Sequence, residues 1–198
     1  EIKVDEYLYD YYLRIIKKNW YVELKEIIMN FIVRHNFNSV SIIDFGGKFE
    51  KKVFFLFPNL KQHKISTTVI QDDNEVNDII YKITKQMDLI CYPIVTNKYN
   101  TWIHSPDNSH NFEKKVVNNL IVCLNFVHEM IFYRQRTFED VVNILKKLTK
   151  KYLIIEFLTK HNSLIKKILN ESYYWYSEEN FLKELEKKFI IDTTFNLD

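Results

Sequence analysis

The chain has 198 residues, of which 46% are apolar and 27% are charged. This balance is typical of a globular domain with a sizeable core, and it excludes an intrinsically disordered chain. The 28 basic and 26 acidic residues nearly cancel, so there is no strong signal for nucleic acid, which a protein binds with a basic excess on one face. No apolar run approaches the ~20 residues of a membrane-spanning helix, and we expect no membrane partner.

The amino-terminal residues predict two amphipathic helices, at about 5–18 and 21–35. Charged residues interrupt any apolar run among the first ten residues, so the sequence there is not typical of a signal peptide. Cys91 and Cys123 lie inside apolar runs, which favours buried free thiols in a reducing compartment. We therefore expect a cytoplasmic protein. Neither cysteine belongs to a C-x-x-C pair and the six histidines lack zinc-ligand spacing, so no metal site is predicted.

The remainder of the chain alternates predicted strands with predicted helices. The strands are predicted at 39–45, 64–70, 89–95, 120–127, 152–157 and 190–195. The helices are predicted at 49–57, 72–85, 112–117, 137–148, around 164–169 and from the Ser177 cap to 189. This alternation predicts an α/β fold: a doubly wound, mostly parallel sheet with helices on both faces. We expect one domain, in which amino-terminal helices (1–37) pack on an α/β unit (38–198).

The two glycines of the chain are neighbours, Gly46 and Gly47, directly after the first predicted strand and its Asp44 and Phe45. Average usage would give ~14 glycines, so glycine persists here where the backbone turns sharply or another group comes close. Ligands of open α/β sheets bind beyond the carboxyl ends of the strands. The sequence therefore predicts a binding cleft at this turn. The alternative is an ordinary tight turn that Asp44 caps.

The segment 42–47, Ile-Ile-Asp-Phe-Gly-Gly, resembles the first motif of the class I S-adenosylmethionine-dependent methyltransferases, in which apolar residues precede Asp-x-Gly. The segments 120–130, 137–157 and 176–181 resemble later parts of the same family in order and spacing. The resemblance implies a Rossmann-like fold, S-adenosylmethionine as cofactor, and a transferase that methylates an unidentified acceptor. It also implies that Asp44, Gly46 and Gly47 hold the cofactor.

The sequence departs from the family pattern at several cofactor positions. Lys48 and Glu50 stand where a further glycine is usual, and Asn119 stands where an acid usually precedes the fourth strand. Thr68, with Ile70 as the neighbouring choice, aligns with the acid that binds the ribose hydroxyls. The resemblance then makes Thr68 the substitute ribose contact.

Three further residues take roles from the same resemblance. Asn97, beside Thr96, matches the position near the adenine, and Asn125 could face the cofactor. His128 follows the fourth strand, where a base facing the acceptor would stand. The alternative for Asn125 is a polar interruption of its strand, and for His128 it is packing against the next helix.

The lost acids support a second interpretation: a pseudoenzyme that keeps the fold but serves as a binding or scaffolding subunit for a protein partner. A nucleotide-binding oxidoreductase is less favoured because the G-x-G-x-x-G fingerprint is absent. The loop 102–110 could form a substrate lid or a plain surface loop. The aromatic run 173–176 could form a substrate wall or a partner surface, although core packing of the last helix is the stronger prediction.

Overall fold

A computed structural model describes residues 19–37, 40–45, 65–71, 74–86, 91–95, 118–124 and 126–196. The strands are β1 (Val40–Phe45), β2 (Ile65–Gln71), β3 (Cys91–Val95), β4 (Asn118–Cys123) and β5 (Thr149–Ile155). The helices are α1 (Asn19–Arg34), α2 (Asn74–Gln86), α3 (Phe138–Leu148), α4 (Ser163–Ile168) and α5 (Glu178–Glu186). Shorter turns lie at Phe126–His128, continued by a π-helix at Glu129–Tyr133, and at Glu171–Tyr173, a 3-10 turn.

The described strands form one parallel sheet in the order β3-β2-β1-β4-β5. From β1 the chain moves outward to β2 and β3, and it then returns to place β4 on the other side of β1. This is a doubly wound sheet with its reversal point between β1 and β4. The prediction of an α/β fold with a parallel sheet is confirmed.

Helices cover both faces of this sheet because alternate strand residues point to opposite sides. On one face, Ile42 and Val122 pack against apolar residues of α1 and α2. On the other, Ile43 and Ile121 pack against apolar residues of α3, α4 and α5. The β4 residues Leu120–Cys123 are therefore all apolar and buried, as a strand covered on both faces should be.

The helix ends show how a chain with only two glycines begins and ends its helices with other residues. The predicted cap of α3 is confirmed: the Thr137 hydroxyl accepts from the Asp140 amide at 3.2 Å, and the Asp140 carboxylate accepts from the Thr137 amide at 3.0 Å. At the end of α1, Asn36 has φ 51°, a left-handed conformation in which glycine is the usual residue. Asn36 tolerates it better than most side chains do.

Two predicted strands need correction. Residues 190–195 are not a strand, because within the described chain no strand lies beside them to accept hydrogen bonds, and the Ile190 side chain is 98% exposed. The strand predicted at 120–127 ends at Cys123, and Phe126 and Val127 belong instead to a buried helical turn. The apolar run extends beyond the end of β4 because the side chains of Phe126 and Val127 belong to the same hydrophobic core as those of α3.

The structure confirms the second predicted amino-terminal helix as α1, whose Leu24, Ile28 and Ile32 are buried against the sheet. The predicted helices at 5–18, 49–57 and 112–117 and the loop 102–110 lie outside the described residues. The division at residue 37 stays a prediction. No helix in the described ranges combines the length and the apolar character needed to span a membrane.

Candidate functional site

The carboxyl ends of β1 and β4 lie side by side at the reversal point of the sheet. Asp44, the penultimate residue of β1, is aligned with Val69 of β2 and Val122 of β4, and its side chain is fully buried. A carboxylate rarely occupies such a position without a compensating polar or charged partner. In sheets of this kind, ligands bind beyond the carboxyl ends of the strands at such a reversal point.

Cys123, the last residue of β4, lies next to Asp44 in the sheet, but because Asp44 pairs with Val122, the Cys123 side chain packs on the opposite face. Burial raises the pKa of the Cys123 thiol well above its usual range, and the negative charge of Asp44 raises it further. The thiol therefore stays protonated at neutral pH and is a poor nucleophile. Sequence reasoning did not connect these two residues, since only the strand order brings them together.

Glu156 directly follows β5, on the same side of the sheet as the carboxyl ends of β1 and β4. Its backbone amide donates to the Cys123 carbonyl at 2.9 Å, so the pairing of β4 with β5 continues one residue beyond the strand. Its side chain is half-buried. Because an unpaired charge is costly to bury inside an apolar strand, the sequence predicted that Glu156 either pairs with a cation or lies near the strand end, and in the structure it directly follows β5. Asp44 and Glu156 thus place two acidic residues near the carboxyl ends of the strands.

His128 ends the helical turn that follows β4, and its side chain is only 6% exposed. The π-helix begins at the next residue, and π-helical segments are frequent at functional sites. A base must come within hydrogen-bonding distance of the proton that it accepts, and so little of His128 is exposed that a methyl acceptor would have limited access to its ring. Its role as a base stays a prediction.

Thr68 lies within β2 rather than at its end. It pairs with Ile43, whereas Asp44 pairs with Val69, so the Thr68 and Asp44 side chains point to opposite faces of the sheet. Thr68 lies three positions before Gln71, the last residue of β2, a distance of about 10 Å along the strand. The structure does not bring Thr68 and Asp44 together on one face. The ribose contact proposed for Thr68 stays a prediction.

The remaining predicted site residues, Gly46, Gly47, Asn97 and Asn125, lie outside the described ranges. Within the described part of the chain, no three histidine, cysteine or acidic side chains come together as a metal site would require.

The aromatic run 173–176 forms mainly core. Tyr176 is buried among the rings of Phe132, Phe138 and Phe157, and Trp175 contacts Phe138. Tyr174 is the exposed member of the run, at 89%.

Comparisons with solved structures give the fold of this chain. A putative sarcosine dimethylglycine methyltransferase from Galdieria sulphuraria superposes with a TM-score of 0.53 at 13% identity, over 84% of this chain and 60% of that one. Geranyl diphosphate C-methyltransferase from Streptomyces coelicolor A3(2), solved with Mg²⁺, geranyl diphosphate and S-adenosyl-L-homocysteine, gives a TM-score of 0.50 at 9% identity, over 84% and 61%. The chain has a class I S-adenosylmethionine-dependent methyltransferase-like fold.

The chain spans about three fifths of the length of those two proteins. Its sequence matches no family model and no curated protein. The likeness therefore lies in the arrangement of the backbone. In that arrangement, the carboxyl ends of β1 and β4, with the buried Asp44 on β1, form the candidate site.

Proposed function

We propose that the chain binds S-adenosylmethionine beside the carboxyl ends of β1 and β4 and transfers its methyl group to an acceptor molecule. The observation that carries this proposal is the fully buried Asp44 at the reversal point of a methyltransferase-like sheet. The geranyl diphosphate C-methyltransferase that shares the fold was solved with S-adenosyl-L-homocysteine, the demethylated form of this cofactor. Asp44 then contacts or orients the bound cofactor.

S-adenosylmethionine supplies a methyl group on a positively charged sulfur, which makes the methyl carbon open to attack. The protein's part is to align the acceptor with that carbon and to exclude water. The fully buried strand residues around Asp44 provide a water-poor floor for such a site. Where the acceptor atom carries a proton, His128 is the candidate to accept it.

Few residues besides Asp44 carry this function in the described chain, and this is consistent with the chemistry. Methyl transfer depends mainly on positioning, so a site can work without a set of acids and bases. Asp44 supports cofactor binding through charge. A hydrogen bond to a charged group is worth about 1.5–3 kcal/mol, which corresponds to about 10- to 150-fold in affinity.

Calorimetric titration with S-adenosylmethionine and S-adenosylhomocysteine tests the proposal. We expect binding in the micromolar range for the natural chain and an affinity lowered at least about tenfold by Asp44→Asn, which keeps the side-chain shape and removes the charge. Asp192→Asn is the matched control, because Asp192 is an exposed carboxylate that pairs with Arg34 away from the site. Circular dichroism and thermal melting establish that each variant is folded.

Two results would contradict the proposal. One is the absence of heat with either ligand at millimolar concentration while the protein is folded, which would favour the scaffolding interpretation. The other is equal weakening by Asp44→Asn and Asp192→Asn, which would remove Asp44 from the site.

A further inference from the structure

The segment that follows α5 contacts both helix layers of the fold. Phe189 and Ile191 are half-buried against the hydrophobic core of the α3–α5 layer. Asp192, the next residue, pairs with Arg34 at the end of α1, with 3.1 Å between a carboxylate oxygen and a guanidinium nitrogen. Because α1 covers the opposite face of the sheet, two consecutive residues of this segment contact two different layers. We call residues 189–192 the strap.

The strap crosses from one layer to the other at β5, an outermost strand of the described sheet. Tyr152 of β5 contacts His35, the residue after Arg34, with 3.0 Å between the tyrosine hydroxyl oxygen and the histidine Nδ1. The end of α1 therefore lies over β5. Since connections do not thread through a hydrogen-bonded sheet, the strap reaches Arg34 by going around β5.

The strap is held more firmly on one side of the sheet than on the other. On the α3–α5 side, Phe189 and Ile191 are half-buried, and the Lys146 ammonium lies 5.5 Å from the centre of the Phe189 ring. On the α1 side, the paired side chains of Arg34 and Asp192 are 64% and 61% exposed. Exposed ion pairs are weak, and salt screens them. The strap therefore separates from α1 more easily than from the α3–α5 layer.

We propose that the strap is a salt-sensitive conformational switch at the end of α1. When Arg34 and Asp192 are paired, the strap holds this end against β5. When the pair is broken, the end of α1 opens locally while the α3–α5 layer stays folded. Because the strap is anchored on the other face by Ile191, this proposal includes a coupling across the sheet: weaker packing of Ile191 loosens the end of α1.

Hydrogen exchange at the end of α1 tests this coupling. The amides of His35 and Phe37 donate to carbonyls of α1 at 3.1 and 3.3 Å, so their exchange reports on local opening. We expect Ile191→Ala to accelerate both by about two- to fivefold, the range over which an exposed ion pair shifts an equilibrium. The matched control is Ile190→Ala, because the Ile190 side chain is 98% exposed. It should leave both rates unchanged.

The ion pair gives an independent readout. Asp192→Asn should accelerate the same amides about two- to fivefold at low salt, and the difference from the natural chain should disappear at about 1 M NaCl, where the screening length is only about 3 Å. Glu186→Gln is the control, since Glu186 is exposed and forms no ion pair among the described residues. Amides of β4, at the centre of the sheet, report global unfolding and should change less than those of α1.

Three results would overturn the proposal. One is equal exchange at the end of α1 in Ile191→Ala and Ile190→Ala. The second is an effect of Asp192→Asn that is just as large at 1 M NaCl as at low salt. The third is acceleration of the β4 amides by as much as the α1 amides, which would mean that the strap variants weaken the whole fold.

Discussion

Tyr176 shows how one side chain joins several parts of the core. Its ring lies 4.8 Å from Phe132 and stacks on Phe157 at 5.1 Å, measured between ring centroids. Its hydroxyl donates to the Leu158 carbonyl at 2.8 Å. A tyrosine is suited to this place because it adds apolar surface and also satisfies a carbonyl beyond the end of β5.

Tyr176→Phe should lower the free energy of unfolding by about 0.5–1.5 kcal/mol, because the Leu158 carbonyl loses its donor. Urea denaturation at pH 7 measures this change, and Tyr174→Phe is the control. The Tyr174 ring is 89% exposed, so its variant should be as stable as the natural chain. Equal losses in the two variants would contradict the role of the hydroxyl.

The stability of the natural chain and that of Tyr176→Phe should depend differently on pH, because Tyr176 can ionise. Burial, and then the charge of Glu156, raises the pKa of Tyr176 far above its usual range. Above about pH 10 the unfolded chain loses this proton while the folded chain keeps it, so stability falls by up to about 1.4 kcal/mol per pH unit. The Tyr176→Phe variant has no hydroxyl proton to lose, so this loss of stability does not occur in it. The stability difference between the natural chain and the variant should therefore narrow above about pH 10.

The secondary structure was largely readable from the sequence, because periodicity is a local property. The i, i+3, i+4 spacing predicted α2, and the Thr137 cap predicted the start of α3. Residues 190–195 have the composition of a strand but do not form one, since a strand also depends on a neighbour that composition does not reveal. The same limit explains the segment 126–128, which is apolar but helical.

The cap of α3 gives a test at this level. Thr137→Ala should lower the free energy of unfolding by about 1 kcal/mol, because the Asp140 amide loses its side-chain acceptor. Thermal and urea denaturation would measure the loss. Thr194→Ala, at an exposed threonine outside any helix or strand, is the control and should change stability by less than about 0.5 kcal/mol. A Thr137 variant no less stable than the control would contradict the cap.

The candidate site was only partly predictable, because it is created by the order of the strands. Asp44 could be singled out from the Asp-Phe-Gly-Gly sequence alone. The proximity of Asp44 to Cys123 could not, since it requires β4 to lie next to β1. Thr68 shows a second limit of sequence-based prediction. Alignment to the family pattern selects its position along the chain, but a shift of one residue in strand register decides which face of the sheet its side chain occupies.

The two helix layers should unfold together, because they share the central strands. Trp20 packs with the α1–α2 layer and Trp175 with the α3–α5 layer, so each reports on one face. In single-tryptophan proteins made by Trp-to-Phe changes, both fluorescence transitions should have the same urea midpoint. Ile28→Ala, at a fully buried residue of α1, should lower both midpoints equally and cost about 2–5 kcal/mol. An earlier transition at Trp20 alone would show that α1 detaches independently, and the helices before β1 would then be a separate unit.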